Sequence, residues 1–245
     1  MTRRKLIATA LGATAGASGL AAAAKLSEHY GLIPPDFRGF YAPEHALTYA
    51  SQRLLTRHSM AREFPRSEIS PKPFANELGP LGKDFDLFQK QHPEGFADWR
   101  IAIDGMVSRP TFLSLTGLKG YPSRSHITHL ACEEGWSYIA EWTGVPLSHV
   151  LEIAGVHPQA KYVVYTSMQP GWRDSIDMAD ALHPQTLLTY AMNGGDLSIG
   201  NGGPLRMRVP RQLGYKSVKF VNSLIVTDDL KKFSPGGSYS WYAGI

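Results

Sequence analysis

The chain has 245 residues, 43% hydrophobic and 19% charged, enough apolar content for a packed core and too little charge for a disordered segment. Its formal net charge is +4, but the basic residues are scattered and part of the excess falls at the N-terminus. No basic stripe with interleaved aromatics marks a nucleic-acid binder, and the single cysteine, Cys132, excludes internal disulfides and multi-cysteine metal cages.

Residues 1–26 read as an export signal. Arg3-Arg4-Lys5 precedes a weakly apolar run from Leu6 to Ala24, with a small-residue cleavage zone around Ala21 to Ala23. The pair Arg3-Arg4 resembles a twin-arginine signal, which implies a periplasmic protein. The run is just long enough to span a bilayer, but its Gly, Ser and Thr content makes it a poor anchor. Residues 27–97 read as an irregular arm. A helix is expected over Pro43 to Leu55, with Ala46, Leu47, Ala50 and Leu54 as its apolar positions. The stretch Ser70 to Gly82, SPKPFANELGPLG, then breaks regular structure.

The core is expected over residues 98–230. WRIAIDGMV alternates Trp99, Ile101 and Ile103 against Arg100, Ala102 and Asp104, a strand pattern. Ser125 to Ala131 is a second strand and ends at Cys132. VPLSHVLEIAG, Val145 to Gly155, is a short helix with Pro146 in its first turn and Gly155 as its stop. Lys161 to Ser167 is a third strand, and Ser175 to His183 reads as one or two helical turns. Further strands are expected at Leu187 to Met192, Leu205 to Val209 and Ser217 to Thr227, and residues 231–245 form a tail. Short strands mixed with short helices, without regular βαβ alternation, give an α+β fold.

Cys132 stands in HLACEEGWS, His129 to Ser137. A lone soft thiolate can serve as the only protein ligand to a metal whose other ligands come from a cofactor. The alternative is a buried structural cysteine acting as a small hydrophobe. HLACEEGWS, EWTGVPLSHVL, AKYVVYTSM, LHPQTLLTYAMNG and NGGPLRMRVPRQLGYKSVKFV together resemble the molybdopterin-dependent oxidoreductase domain of the sulfite oxidase fold, across roughly residues 98 to 228. The likeness is closer to the exported bacterial members, the protein-methionine-sulfoxide reductase catalytic subunits. The resemblance implies a Mo-molybdopterin cofactor with Cys132 as metal ligand and catalytic centre. It also implies cofactor contacts from Ser167, Asn201, Arg206, Lys219 and the backbone N–H groups of Ser217 and Val218. In the arm, Arg62 and Glu63 are further contacts by the same pattern, with local ion pairs within the arm as the alternative.

The expected reaction is two-electron oxygen-atom transfer, in the reductive direction, on a small-molecule or protein sulfoxide. Glu133 and Glu134 beside the ligand would oppose an anion, which disfavours sulfite. Trp136 fits either a pocket wall or a core position, and His129 either a cofactor donor or a satisfied core histidine. The chain stops soon after Val226, without the immunoglobulin-like dimerisation domain of many sulfite oxidases, so a monomer is expected. With no C-x-x-C-H, electrons are expected from a separate partner, which the family suggests is a membrane haem subunit. The rival readings are sulfite-oxidase-like oxidation and a cofactor-free binding module on the same scaffold.

Overall fold

A computed structural model describes residues 42–75, 94–233 and 241–245, with positions 25, 32, 34, 35 and 90 in addition. The expected leader, apart from Lys25, lies outside the described residues, as do residues 76–89 of the arm, Lys90 apart from them, and 234–240 of the tail. Among the described residues, no helix is long and apolar enough to cross a membrane. The chain divides into two compact units, Met1–Arg57 and His58–Ile245.

In the first unit the expected helix forms as α1, Ala42–Leu55. Its buried positions differ from expectation: Tyr49 and Arg53 are inside, whereas Leu47 and Leu54 are 72% and 66% exposed. Tyr49 and Arg53 are one turn apart on a single face, and the guanidinium lies 5.3 Å from the ring centre.

The second unit is built on two sheets. The first has the order β2-β1-β10-β5-β6, from β1 (Arg100–Gly105), β2 (Thr111–Ser114), β5 (Tyr162–Ser167), β6 (Arg173–Asp177) and β10 (Val221–Thr227). β1 and β10 run parallel and the other pairs antiparallel. The second sheet has the order β3-β4-β7-β8, from β3 (Arg124–Ala131), β4 (Ser137–Pro146), β7 (Leu187–Met192) and β8 (Gly195–Asp196), and β9 (Arg206–Arg208) also pairs with β7. Three short helices are fully described in it: α2 (Leu115–Lys119), α3 (Leu147–Ala154) and α4 (Met178–Ala181). Mixed sheets with few helices are the expected α+β architecture.

Hydrophobic alternation places the core. Trp99, Ile101 and Ile103 are all buried and meet Val221, Leu224 and Val226 of β10 and Val163 and Tyr165 of β5 in one cluster. α3 adds Leu147, Val150, Leu151 and Ala154 to the same cluster. A second cluster of Leu130, Tyr138, Ala140, Trp142 and Leu197 lies on the β3–β4 side.

Two expected elements are shorter than their patterns. Ser175 to His183 opens as the end of β6, and only Met178–Ala181 turns helically, because the Asp177 side chain accepts from the Asp180 N–H (2.9 Å). β10 starts at Val221 rather than Ser217, because residues 214–216 form a tight 3₁₀ turn and Phe220 holds a left-handed backbone (φ +57°). The stretch from Ser59 to Ser70, expected as irregular arm, belongs to the sheet unit. Gln185 bonds both the N–H and the C=O of Ala61 (2.7 and 3.0 Å), Phe64 N–H donates to Ile127 O (2.9 Å), and Ser70 N–H donates to Ile139 O (2.9 Å).

Gly105 is where β1 leaves the sheet. Its φ is +91°, and a Cβ there would stand 2.2 Å from Val226 O on β10. Gly105→Ala is expected to cost about 2–4 kcal/mol and to lower the melting temperature by roughly 4–12 °C. Thermal unfolding followed by circular dichroism checks this, and a midpoint within 2 °C of the parent protein would contradict it.

Candidate functional site

β3 and β4 form a hairpin whose last ladder pair is Ala131 with Ser137. Residues 132–136 close it, with Cys132 N–H donating to Trp136 O (2.9 Å) and Gly135 N–H donating to Cys132 O (3.1 Å). The cysteine backbone is therefore fixed by strand register. The thiol lies 3.4 Å from Glu133 Oε2 and 3.8 Å from Glu134 Oε2. Burial, reinforced by these carboxylates, pushes the Cys132 thiol up to about 11. Glu134 also accepts from Trp136 Nε1 (2.7 Å). Trp136 is half-buried, stacked on Tyr138 at 6.0 Å with Phe74 leaning against it at 4.6 Å, so it serves as both support and rim.

β9 supplies a cationic wall. Arg206 and Arg208 are two residues apart in a strand and share one face, opposite Thr189 and Leu187 of β7. Their guanidiniums lie 5.4 and 5.2 Å from the centre of the Trp142 ring. Arg206 donates through Nε to Ser217 O (2.9 Å) and through Nη1 to Asn201 O (3.1 Å). Arg208 donates through Nη2 to His129 O (2.7 Å) and Thr128 Oγ1 (3.1 Å), which ties the wall to β3 just ahead of Cys132. Burial lowers the affinity of both guanidiniums for their protons, and with the added repulsion of Arg206, Arg208 comes down to about 9. Burial and Arg206 likewise bring Lys219 down to about 8, while the nearby Cys132 and Glu134 pull the other way. Lys219 donates to Gly200 O (2.6 Å). Gly202 packs against its stem: φ is +103°, and a Cβ would stand 2.7 Å from Lys219 Cγ. Among the described residues, none of these three cations forms an ion pair with a carboxylate.

Three buried polar atoms on this face have no protein partner: Arg208 Nε, Trp142 Nε1 and Thr189 Oγ1. Asn201 is buried beside them, its amide nitrogen donating to Ser198 Oγ (2.9 Å) and its oxygen accepting from Tyr138 OH (3.5 Å). The loop after β9 returns to the cysteine, and a Cβ at Gly214 would lie 3.2 Å from Ala131 O and 3.4 Å from Cys132 Cα.

The structure thus brings Cys132, Asn201, Arg206, Ser217 and Lys219 into one neighbourhood. Ser217 contributes differently from expectation. Its N–H, expected toward a cofactor, donates to Gly214 O (2.9 Å), while its carbonyl holds Arg206 and its hydroxyl accepts from Val209 N–H (3.2 Å). Val218 uses its carbonyl to accept from Met207 N–H (3.0 Å). Ser167 sits one strand away, opposite Val221, with its hydroxyl accepting from Gln169 N–H (3.0 Å). Arg62 and Glu63 lie along the outer edge of β3. Arg62 stacks on Phe64 at 4.6 Å, and Glu63 Oε1 is taken up by Gln185 Nε2 (2.9 Å) and His126 Nδ1 (3.1 Å), partners outside the arm rather than ion pairs within it. His129 is half-buried, and burial with the charge of Arg208 lowers its proton affinity. Arg208 and Gly214 were not singled out in the sequence. The readable signal for Arg208 was RMR inside the apolar run Leu205 to Val209, which buries both faces of β9.

The family described as oxidoreductase molybdopterin binding domain matches residues 89–233. A candidate protein-methionine-sulfoxide reductase subunit, YedZ1, of Azospira oryzae is 38% identical over 153 residues, covering 60% of this chain and 56% of that one. The protein-methionine-sulfoxide reductase catalytic subunit MsrP of Burkholderia mallei is 29% identical over 263 residues, covering 98% of this chain and 72% of that one. Among solved structures, the sulfane dehydrogenase SoxCD of Paracoccus pantotrophus is similar with a TM-score of 0.52 and 26% identity, covering 54% of this chain and 39% of that one. The first two curated relatives are matched over only about half their length (56% and 43%).

The residues fit a molybdenum–pterin group. One thiol is placed by the hairpin, three cations lack carboxylate partners, and three buried polar atoms wait for a hydrogen bond. In cofactor-free protein, Cys132 alkylation at pH 8 is expected to be at least about tenfold slower than in denatured chain, because little thiolate is present. The rate should keep climbing past pH 9 toward about 11, where the thiol loses its proton. Iodoacetamide labelling read by mass spectrometry checks this, and a plateau by pH 9 would contradict it.

Proposed function

Since the chain belongs to the family of oxidoreductase molybdopterin binding domains, we propose that it is a molybdenum–molybdopterin enzyme that reduces a sulfoxide, free or in a protein, by two-electron oxygen-atom transfer. The observation that carries this reading is the pair of buried guanidiniums, Arg206 and Arg208, beside a lone thiol and without a carboxylate between them. Buried charge of one sign requires a compensating group, and a pterin carrying phosphate provides one.

When bound, the cofactor supplies the redox chemistry at molybdenum. The chain's own residues bind, orient and shield it. Cys132 would be the protein ligand to the metal in its thiolate form; the hairpin fixes its position, and burial disfavours that form in cofactor-free protein. Arg206, Arg208, Lys219 and Asn201 hold the anionic and hydrogen-bonding parts of the group. Ser217 acts through Arg206, whose Nε it fixes. Ser167 pairs with Val221 in the β5–β10 ladder, and its hydroxyl accepts from Gln169 N–H. Phe74, Trp136 and Tyr138 form an aromatic stack, and Trp136 holds Glu134, whose carboxylate lies beside the sulfur. Glu63 ties its segment to His126 of β3 and to Gln185, and Arg62 packs on Phe64.

The substrate class follows from charge. Both carboxylates next to the sulfur face it, which favours a neutral acceptor over a dianion such as sulfite. The names of the relatives, protein-methionine-sulfoxide reductase subunits, support the same choice. We assign the protein to the periplasm on the twin-arginine-like leader, and the electron source to a separate partner, of the membrane haem kind.

The test is elemental analysis joined to a sulfoxide assay with reduced viologen as donor. The parent protein is expected to carry about one molybdenum per chain, and Cys132→Ser to lose at least about a hundredfold in turnover, beyond what loss of a supporting residue costs. Arg206→Met and Arg208→Met each remove charge-assisted bonds worth about 1.5–3 kcal/mol, so molybdenum retention should fall roughly ten- to hundredfold. Full molybdenum content in both arginine variants would overturn the assignment, as would a molybdenum-free parent protein.

A further inference from the structure

The segment Trp241–Ile245 lies against the loop that carries Gly214 and Ser217. Ala243 O accepts from Leu213 N–H (3.0 Å), Ile245 N–H donates to Arg211 O (3.0 Å), and Gly244 makes an antiparallel bridge with Gln212. Ala243 N–H also donates to Gln212 Oε1 (3.4 Å), and Gln212 in turn donates to the buried Asp180 carboxylate. These contacts add a short extra strand to residues 211–213, immediately before the turn that backs Cys132.

Trp241 anchors the segment. It is 7% exposed and donates through Nε1 to Ser175 Oγ (2.8 Å), with its ring edge-on to Tyr162 at 5.7 Å. Lys216 Nζ lies 5.2 Å from the ring centre, and that ammonium donates to Asp174 Oδ1 (2.6 Å) and Ser175 O (2.9 Å). Lys216 is fully buried and its carbonyl accepts from Tyr165 OH (2.8 Å). The loop is thus held from both of its sides. Its front holds Arg206 through Ser217 O and abuts Cys132 through Gly214, and its back is closed by Trp241 over the Lys216–Asp174 pair.

We propose that Trp241–Ile245 is a positioning clasp, which presses loop 211–217 against Cys132 and so sets both the cover over the sulfur and the seat of Arg206. The part of this claim that concerns the cofactor rests on the function proposed above; the part that concerns the sulfur does not. Trp241 is a positioning residue, acting through Lys216 and Ser217.

The experiment uses full-length cofactor-free chain for one arm and cofactor-loaded chain for the other. Trp241→Ala, a deletion of residues 241–245 and the milder Trp241→Phe and Ser175→Ala are compared with the parent protein well below their melting temperatures. Without the clasp, Cys132 alkylation in cofactor-free protein should speed up about tenfold, and the Leu213 amide should exchange correspondingly faster. Trp241→Phe keeps a ring over Lys216 and should recover most of the slow alkylation. In loaded protein, molybdenum loss on dialysis should accelerate with the same order of variants. If Trp241→Ala and Ser175→Ala lower the melting temperature yet leave alkylation and exchange within twofold of the parent, the segment is only structural and the proposal is wrong. A deletion variant that does not fold leaves the decision to the point variants. Should the parent protein carry no molybdenum, the proposed function fails, and the alkylation and exchange results alone decide on the clasp.

Discussion

Two guanidiniums packed side by side over one indole ring set the terms on which the rest of this site is organised. Removing such ions from water costs several kcal/mol each even after relaxation. The protein recovers part of that cost with the Trp142 π-face, the carbonyls of Ser217, Asn201 and His129, and the Thr128 hydroxyl. What it does not supply, among the described residues, is a carboxylate. A bound polyanion would supply the other half of that balance and would raise the same proton affinities that burial depresses.

The wall is placed by backbone geometry. β9 has three residues and hangs on β7 with Arg206 opposite Thr189 and Arg208 opposite Leu187. β7 also pairs with β4, and β4 with β3 in the hairpin that ends at Cys132. A one-residue slip anywhere in this ladder would turn the arginines outward or move the sulfur to the other face. Arg208 spans the whole arrangement, because its bond to His129 O joins the far strand to the residues just before the cysteine.

Cys132, Asn201, Arg206 and Lys219 were named from motif blocks in the sequence, and the structure brings them into one neighbourhood; the residues that hold them there were less legible. Arg208 was not named, because a charged residue in a strand is ordinarily read as solvent-facing, and only the buried Leu205, Met207 and Val209 around it reveal that β9 has no solvent face. β4 was missed although Tyr138, Ala140 and Trp142 alternate cleanly, since Gly144 and Pro146 interrupt the pattern where the strand bends at a bulge. The helix at Ser175 gave way to β6 because pairing with β5 outweighed local propensity. The reversal on α1, where Tyr49 and Arg53 replace the leucines inside, depends on an aromatic–cation pair that hydrophobic periodicity does not count.

Charge also divides the surroundings of the sulfur into two territories. A charge on Cys132 would raise the proton affinity of Arg206 and Lys219, and Glu133 and Glu134 raise that of the thiol. At an effective dielectric near 20, a pair of unit charges 4 Å apart interacts by about 4 kcal/mol, so neither influence is negligible. Arg206 is buried on β9 and Lys219 is half-buried and donates to Gly200 O, whereas Glu134 is exposed with its carboxylate 3.8 Å from the sulfur. An anion approaching from the wall is attracted, and one approaching past the carboxylates is repelled.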